Sequence, residues 1–407
     1  MSPLLYLVHR IPFPPNKGDK IRSFHLLQAL RSRYEVHLGS FIDAAEDERH
    51  LPALRELCAE VFVARLRPRW ARLASSRALL TDEPLTNAYY ASRSLTRWVE
   101  RTVAARGIER IVMFSSSMGQ FVSADIAART RCVIDFCDID SDKWRQYAQR
   151  HSWPLSLVYA REARVLQRTE LDLARRFAAS LFVSDREAGF FRGLIPERAE
   201  RIHAVRNGVD AAYFDPDVPL EAATVPAGRN VVFTGAMDYW ANVECVTWFV
   251  REVWPKVRAK HPDANFLIVG SRPAQAVLEL ASSPGVIVTG SVPDVRPFIR
   301  ASHVSVAPLR VARGVQNKVL EAMAMKRFIV ATQPAVQGID VTLPADVRVE
   351  STPDAFADAV CARLEQGGVS EANRAFVLQH YDWAGNLASF MDLVAGERAG
   401  PSSAAAA

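Results

Sequence analysis

The feature that most restricts this chain is a repeated pairing. A short run of β-branched and other apolar residues is followed, again and again, by a stretch with helical spacing. In the first half the runs are LLYLV (4–8), VHLGSF (36–41), VFVARL (61–66), RIVMF (110–114), CVIDF (132–136) and SLFVS (180–184). In the second half they are NVVFTG (230–235), NFLIVG (265–270), VIVTG (286–290), HVSVAP (303–308), RFIVAT (327–332) and VRVE (347–350). None shows clean alternation of polar and apolar residues, so none presents a solvent face, which is how strands covered on both sides read. Between them, stretches such as IRSFHLLQAL (21–30) and VTWFVREVWPKVRAK (246–260) carry apolar residues at helical spacing. The alternation predicts the α/β class, with parallel sheets in doubly wound, Rossmann-like domains.

The pattern breaks once, at NGVDAAYFDPDVPLEAATVPAGRN, which is rich in turn formers and lacks periodicity. This places a linker at 207–229, with domains at 1–206 and 230–380. A helical stretch at 381–395 is expected to cross back to the first domain, and the low-complexity tail 396–407 to be disordered. Open parallel sheets bind ligands beyond the carboxyl ends of their strands. Two such domains are expected to face a central crevice.

Charge separates the halves. Residues 1–184 hold 28 Lys and Arg against 20 Asp and Glu, whereas residues 185–407 hold 22 against 25. The basic excess is densest at RLRPRWARLASSR (65–77). This is either a solvated basic helix or a surface for anionic lipid headgroups of the inner membrane face. Basic stripes with interleaved aromatics do not recur, which argues against a nucleic-acid partner. No apolar run approaches the ~18 residues that a membrane span requires. MSPLLYLVHR reads as a first strand rather than a secretory leader, because its charges follow the apolar residues. The five cysteines include no CxxC pair, so neither a disulfide framework nor a zinc site is expected, and a cytoplasmic location is.

Four stretches carry candidate chemistry. RGVQNKVLEAMAMKRFIVAT (313–332) reads as turn, helix and strand, with Lys318 and Glu321 off the apolar stripe. Gly314, Val315 and Gln316 sit where free backbone N–H groups at a helix start attract an anion. Lys318 and Glu321 are then either a surface ion pair or groups reaching for a phosphate and a sugar diol. PFPPNKGDKIR (12–22) places Gly18 and Asp19 before Lys20 and Arg22, as an N-capped surface loop or as a ligand loop. DFCDIDSDKW (135–144) brings Asp138, Asp140 and Asp142 together. An EF-hand fails because Lys143 and Gln149 occupy the required Gly and Glu positions. A metal-binding DxD and helix-capping carboxylates remain. SSS (115–117) reads as a routine helix start and His9 as structural.

The second half resembles the C-terminal domain of group 1, family-4 glycosyltransferases of the GT-B fold. It does so in order, at NGVD (207–210), FTGAMDYWAN (233–242), FLIVGSRP (266–273), VTGSVPDVRPFI (288–299), VSVAPLR (304–310) and RGVQNKVLEAMAM (313–325). HRIPFPPNKGDKIRSFHLL (9–27) and DFCDIDSDKW extend the likeness to the sugar transferases that accompany exosortase/PEP-CTERM exopolysaccharide systems. The resemblance implies metal-independent, retaining hexosyl transfer from a nucleotide-diphosphate sugar to a glycan or polyprenyl-diphosphate-linked acceptor, with no cofactor. It implies Lys318 on the diphosphate and Glu321 on the ribose. Gly314, Val315 and Gln316 would lie on phosphate or sugar, Val292 on the base, and Gly18 and Gly235 near the donor. Asp19, Lys20, Arg22, Asp138 and Asp140 would fall on the acceptor side, with Asp138 near the acceptor hydroxyl as its proton acceptor. Two departures stand out: Gly314 replaces a Glu common in the family, and GAMDYW lacks the usual basic residue, a charge that Arg310 or Arg313 would have to supply. The rivals are a sugar-nucleotide epimerase of the same fold and a degenerate, non-catalytic sugar-nucleotide binder. A nicotinamide oxidoreductase is disfavoured because no GxGxxG follows a strand.

Overall fold

The computed structural model describes residues 1–15, 18–312, 314–339 and 341–396. The chain divides into two compact units, Met1–Arg206 with Leu387 onward, and Asn207–Asn386.

The first unit is a seven-stranded parallel sheet in the order β3-β2-β1-β4-β5-β6-β7. Its strands are β1 (Ser2–Val8), β2 (Tyr34–Ile42), β3 (Glu60–Arg65), β4 (Arg110–Phe114), β5 (Arg131–Cys137), β6 (Ala179–Phe182) and β7 (Ile202–Ala204). The second is a six-stranded parallel sheet in the order β10-β9-β8-β11-β12-β13. It comprises β8 (Asn230–Thr234), β9 (Asn265–Val269), β10 (Val286–Gly290), β11 (Val304–Ala307), β12 (Phe328–Ala331) and β13 (Val347–Val349). Each apolar run of the sequence is a strand. The one strand without such a run is β7, three residues at the sheet edge.

Uniform apolar composition is explained by burial. Leu4, Leu5, Leu7, Ile111, Val112 and Ile134 are essentially inaccessible, as are Val231, Phe233, Phe266, Ile268 and Val330. Helices cover both faces of each sheet. The predicted helix at 246–260 is continuous through Trp240–Trp248 and Trp254–Lys260, with a π-type turn at Phe249–Val253 just ahead of Pro255.

The stretch 207–229 is not a free linker. Val209 pairs with Asp382, and Phe214 and Leu220 pack on the second core. Arg296, Arg300 and Arg374 donate to the carbonyls of Tyr213, Val218, Leu220 and Phe214. Side chains from far downstream thus bind a segment whose own sequence carries only turn signals. The last helix is Trp383–Ala395, and Arg131 Nε donates to Leu393 O at 2.8 Å. The tail from 397 lies outside the described residues.

In both sheets the order reverses beside the first strand, between β1 and β4 and between β8 and β11. Chain leaving these neighbouring strands departs in opposite directions, which opens a gap above their carboxyl ends. The candidate sites lie there.

Candidate active site

In the second unit, β8 ends at Thr234 and is followed by Gly235 and the helix Trp240–Trp248. β11 is followed by the turn 308–316 and the helix Asn317–Ala324. Glycine is required where these segments meet. A methyl on Gly235 would lie 2.8 Å from Asn242 Nδ2 and 3.1 Å from Lys318 Nζ, and one on Gly270 would lie 1.6 Å from Gly235 O. A methyl on Gly338 would lie 2.3 Å from Gly314 O. Backbone at Gly235 and Gly270 therefore packs too closely for side chains, and the Gly235 position lies beside the lysine.

Lys318 donates to Asn242 Oδ1 at 2.7 Å and lies 4.1 Å from the centre of the Phe233 ring. Asn242 is oriented by its own Nδ2, which donates to Ala236 O at 2.8 Å. An ammonium has three donors, so this leaves capacity for a ligand. Burial pushes Lys318 down to about 8, against the pull of Cys245 and Glu321. Burial likewise raises Glu321 to about 7, opposed by Lys318. Among the described residues no ion pair joins Lys318 to Glu321, and nothing hydrogen-bonds the Glu321 carboxylate. The two are half-buried neighbours. The surface ion pair is thus not what forms.

Gly314 has φ +60°, in the left-handed region that glycine tolerates, with open space where a side chain would project. Gln316 precedes the helix in extended conformation and no side chain caps it, while Val319 N–H donates back to Gln316 O at 2.9 Å. Val292 is half-buried against Val232, Leu267 and Val269. Arg310 pairs with Glu244 at 3.1 Å on the surface. Arg313 lies outside the described residues.

In the first unit, His9 follows β1 and is stacked on Phe114, with ring centroids 5.7 Å apart. Its Nε2 lies 3.6 Å from Asp19 Oδ2, and Arg10 bridges Asp19 at 3.4 Å and Asp43 at 3.0 Å. Burial opposes ionisation of Asp19, but His9 and Arg10 hold its carboxyl well below the usual range. Gly18, at the start of the helix Gly18–Arg31, has open space on its Cβ side.

Two residues assigned to the acceptor side are committed elsewhere. Lys20 is buried, with Nζ 3.1 Å from both Asp47 oxygens. Arg22 is buried too, with Nε 2.7 Å from Asp135 Oδ2 and Nη1 2.8 Å from Val205 O. Both tie the helix Gly18–Arg31 to the fold. Asp138 and Asp140 converge on Lys143 Nζ at 2.7 and 3.0 Å, and Ser116 donates to Asp140 at 3.3 Å. Lys143 thus holds the carboxylates of Asp138 and Asp140 together at the end of β5. Nearby Glu170 and Glu187 are each raised to about 8, first by burial and then by Asp140 and Asp138 respectively. Backbone strain collects at the same strand ends, since Ser115 and Cys137 have φ of 83° and 63°. A cavity of about 480 Å³ opens between the helices Asp140–Arg150 and Leu155–Arg176, lined by Ser141, Arg145, Gln149, Ser156, Arg164 and Gln167.

Sequence reasoning missed Asn242, Gly270 and Gly338. Asn242 and Gly270 lie inside stretches already singled out, FTGAMDYWAN and FLIVGSRP, but their partners become visible only with the strand order.

Residues 228–366 match the family model for glycosyl transferases group 1. Solved structures similar over nearly the full length include sucrose-phosphate synthase from Thermosynechococcus elongatus, at 16% identity and a TM-score of 0.65, covering 97% of this chain and 99% of that one. Anabaena HepE in complex with UDP is similar at 16% identity and TM-score 0.65, covering 97% and 100%. WaaG, a glycosyltransferase involved in lipopolysaccharide biosynthesis, is similar at 12% identity and TM-score 0.61, covering 97% and 100%. No curated protein matches the chain in sequence. The α/β, GT-B architecture expected from the sequence is the fold observed, and the second unit carries a region similar to the group 1 glycosyl transferases.

Proposed function

We propose that the chain is a glycosyltransferase whose second unit binds a nucleotide-diphosphate sugar at the gap above β8 and β11. One observation carries this: an uncapped helix start, Lys318 and Glu321 meet at a gap beside Gly235, and among the described residues Lys318 has no carboxylate partner. Lys318 and the first-turn N–H groups would hold the diphosphate, Glu321 the ribose diol, and Val292 one face of the base. When the bond from the sugar's anomeric carbon to the phosphate oxygen breaks, negative charge builds on the leaving diphosphate. Preplaced donors stabilise that charge in the transition state more than in the ground state. Gly314 leaves the donor sugar to be oriented by other groups, Gln316 among them.

Retention of configuration, a glycan or polyprenyl-diphosphate-linked acceptor and a place in exopolysaccharide synthesis are proposed on the resemblance in sequence. Uridine is the first base to test, because HepE was solved with UDP and with UDP-glucose.

The test is a thermal-shift screen of wild type and Lys318→Ala with UDP, GDP, dTDP, ADP and NAD. Ligand that binds only the folded state raises stability by RT ln(1+[L]/Kd). One nucleoside diphosphate should stabilise wild type and lose its effect in the variant. Stabilisation by NAD alone, or an equal response in Lys318→Ala, would overturn the proposal. Interconversion of free nucleotide sugars without an acceptor would favour the epimerase.

A further inference from the structure

Amphipathic helices on globular proteins normally bury their apolar side. The helix Pro68–Ser75 does not. Trp70 is 67% exposed and Leu73 65%, and Ser75 is its only buried residue. The turn that follows, Ser76–Leu80, leaves Leu80 91% exposed. Arg67, Arg69, Arg72 and Arg77 are interleaved with these side chains and exposed. Their guanidinium groups make no hydrogen bond or ion pair among the described residues, and residues 65–80 contain no acid.

A second exposed apolar group lies on the same unit. The turn between the helices Asp140–Arg150 and Leu155–Arg176 presents Trp153 at 77% exposure, and the start of the second helix presents Leu155 at 50% and Leu157 at 62%. The two groups are joined. Arg161 donates to the carbonyls of Ala78, Thr81 and Glu83, and Glu162 accepts from the N–H groups of Leu85 and Thr86. Leu157 lies four residues before Arg161 on one helix face, a rise of about 6 Å. The helix that carries Leu157 thus also holds the segment that carries Leu80.

We infer that this side of the first unit docks on an anionic lipid bilayer, with Trp70, Leu73, Leu80, Trp153 and Leu157 entering the interface and the four arginines at the headgroups. Isolated exposed apolar residues need no explanation, but a cluster of this size does. The arginines supply the charge complement, and aromatic and leucine side chains beside them gain from the boundary of headgroup and acyl chain. Nucleic acid would satisfy the arginines but leave the leucines in water. The inference does not depend on the donor chemistry proposed above and stands if that fails.

The test is sedimentation of the full chain with vesicles of phosphatidylcholine alone and with added phosphatidylglycerol, at low and high salt, with and without competing RNA. The expected result is binding only to anionic vesicles, weakened by salt. Each arginine near an anionic surface is worth about fivefold, so Arg69→Glu with Arg72→Glu should weaken binding by at least about tenfold. Trp70→Ser with Leu80→Ser, and Trp153→Ser with Leu157→Ser, should each weaken it too. All these side chains are exposed, so an unchanged thermal midpoint shows that the variants fold. No binding to anionic vesicles, equal binding to neutral ones, an unaffected charge-reversal variant, or displacement by RNA would each overturn the inference.

Discussion

If the Lys318 ammonium is what a diphosphate binds, affinity must fall on the alkaline side of neutrality, in a range where few lysines titrate. Burial places Lys318 at about 8. It is then about nine-tenths protonated at pH 7 and about one-tenth at pH 9. Binding that requires the charged form should weaken about tenfold between those values, or ~1.4 kcal/mol. The terminal phosphate of a nucleoside diphosphate, with a second pKa of about 6, is already ionised across that range. Lys318→Arg should flatten the slope, since a guanidinium keeps its charge. Stability of the free protein should move the other way. The unfolded chain holds this proton to the ordinary lysine value, so between pH 8 and 10 it binds more protons than the native state, and Lys318 contributes a rise in stability with pH. Titration calorimetry with UDP at pH 7, 8 and 9, beside denaturation of wild type and Lys318→Met, measures both slopes. An affinity flat from pH 7 to 9, or a slope that survives in Lys318→Arg, would refute the assignment.

Other consequences follow from packing and burial. Gly270→Ala should cost ~3 kcal/mol or more, because a methyl 1.6 Å from Gly235 O exceeds ordinary overpacking. Gly18→Ala, with nothing in the way, should stay within ~0.5 kcal/mol, and chemical denaturation of the two variants checks both. Asp135→Ala should destabilise by about 3–5 kcal/mol by stranding the buried Arg22 guanidinium. Equal stability would return Arg22 to the list of ligand-facing groups. Glu170 is raised from 4.5 to about 8, so its contribution to stability is full below pH 4.5 and lost as pH climbs to 8. Glu170→Gln should therefore be at least as stable as wild type at pH 8, with a shallower decline from pH 5, read from thermal midpoints.

What the sequence discloses follows the range of the interactions involved. Strands buried on both faces need apolar, β-branched residues along their whole length, so their runs stand out. Ile202–Ala204 pairs on one side only, is three residues long, and leaves no such trace. Lys318, Glu321, Gly314 and Gln316 could be proposed because one strand–turn–helix contains them all. Lys20 and Arg22 look equally free in sequence, yet their partners Asp47 and Asp135 come from 27 and 113 residues away. The stretch 207–229 looks like a linker for the same reason: its turn formers are local, and the arginines that bind its carbonyls are not.

The same distinction separates Lys20, Arg22 and Lys143 from Lys318, the cation proposed to bind the donor. Lys20, Arg22 and Lys143 each have a carboxylate oxygen within 3.1 Å. Their charge is balanced inside the fold, and an incoming anion would have to displace that partner. Lys318 has an amide oxygen at 2.7 Å and an aromatic face at 4.1 Å. Both orient the ammonium and neither neutralises it. Burial opposes its charge, as it opposes the charge of Glu321. Half-buried groups whose charge burial opposes are costly to the free protein, and such groups collect at functional sites. On the function proposed above, the donor's diphosphate supplies the negative charge that Lys318 lacks at this helix start.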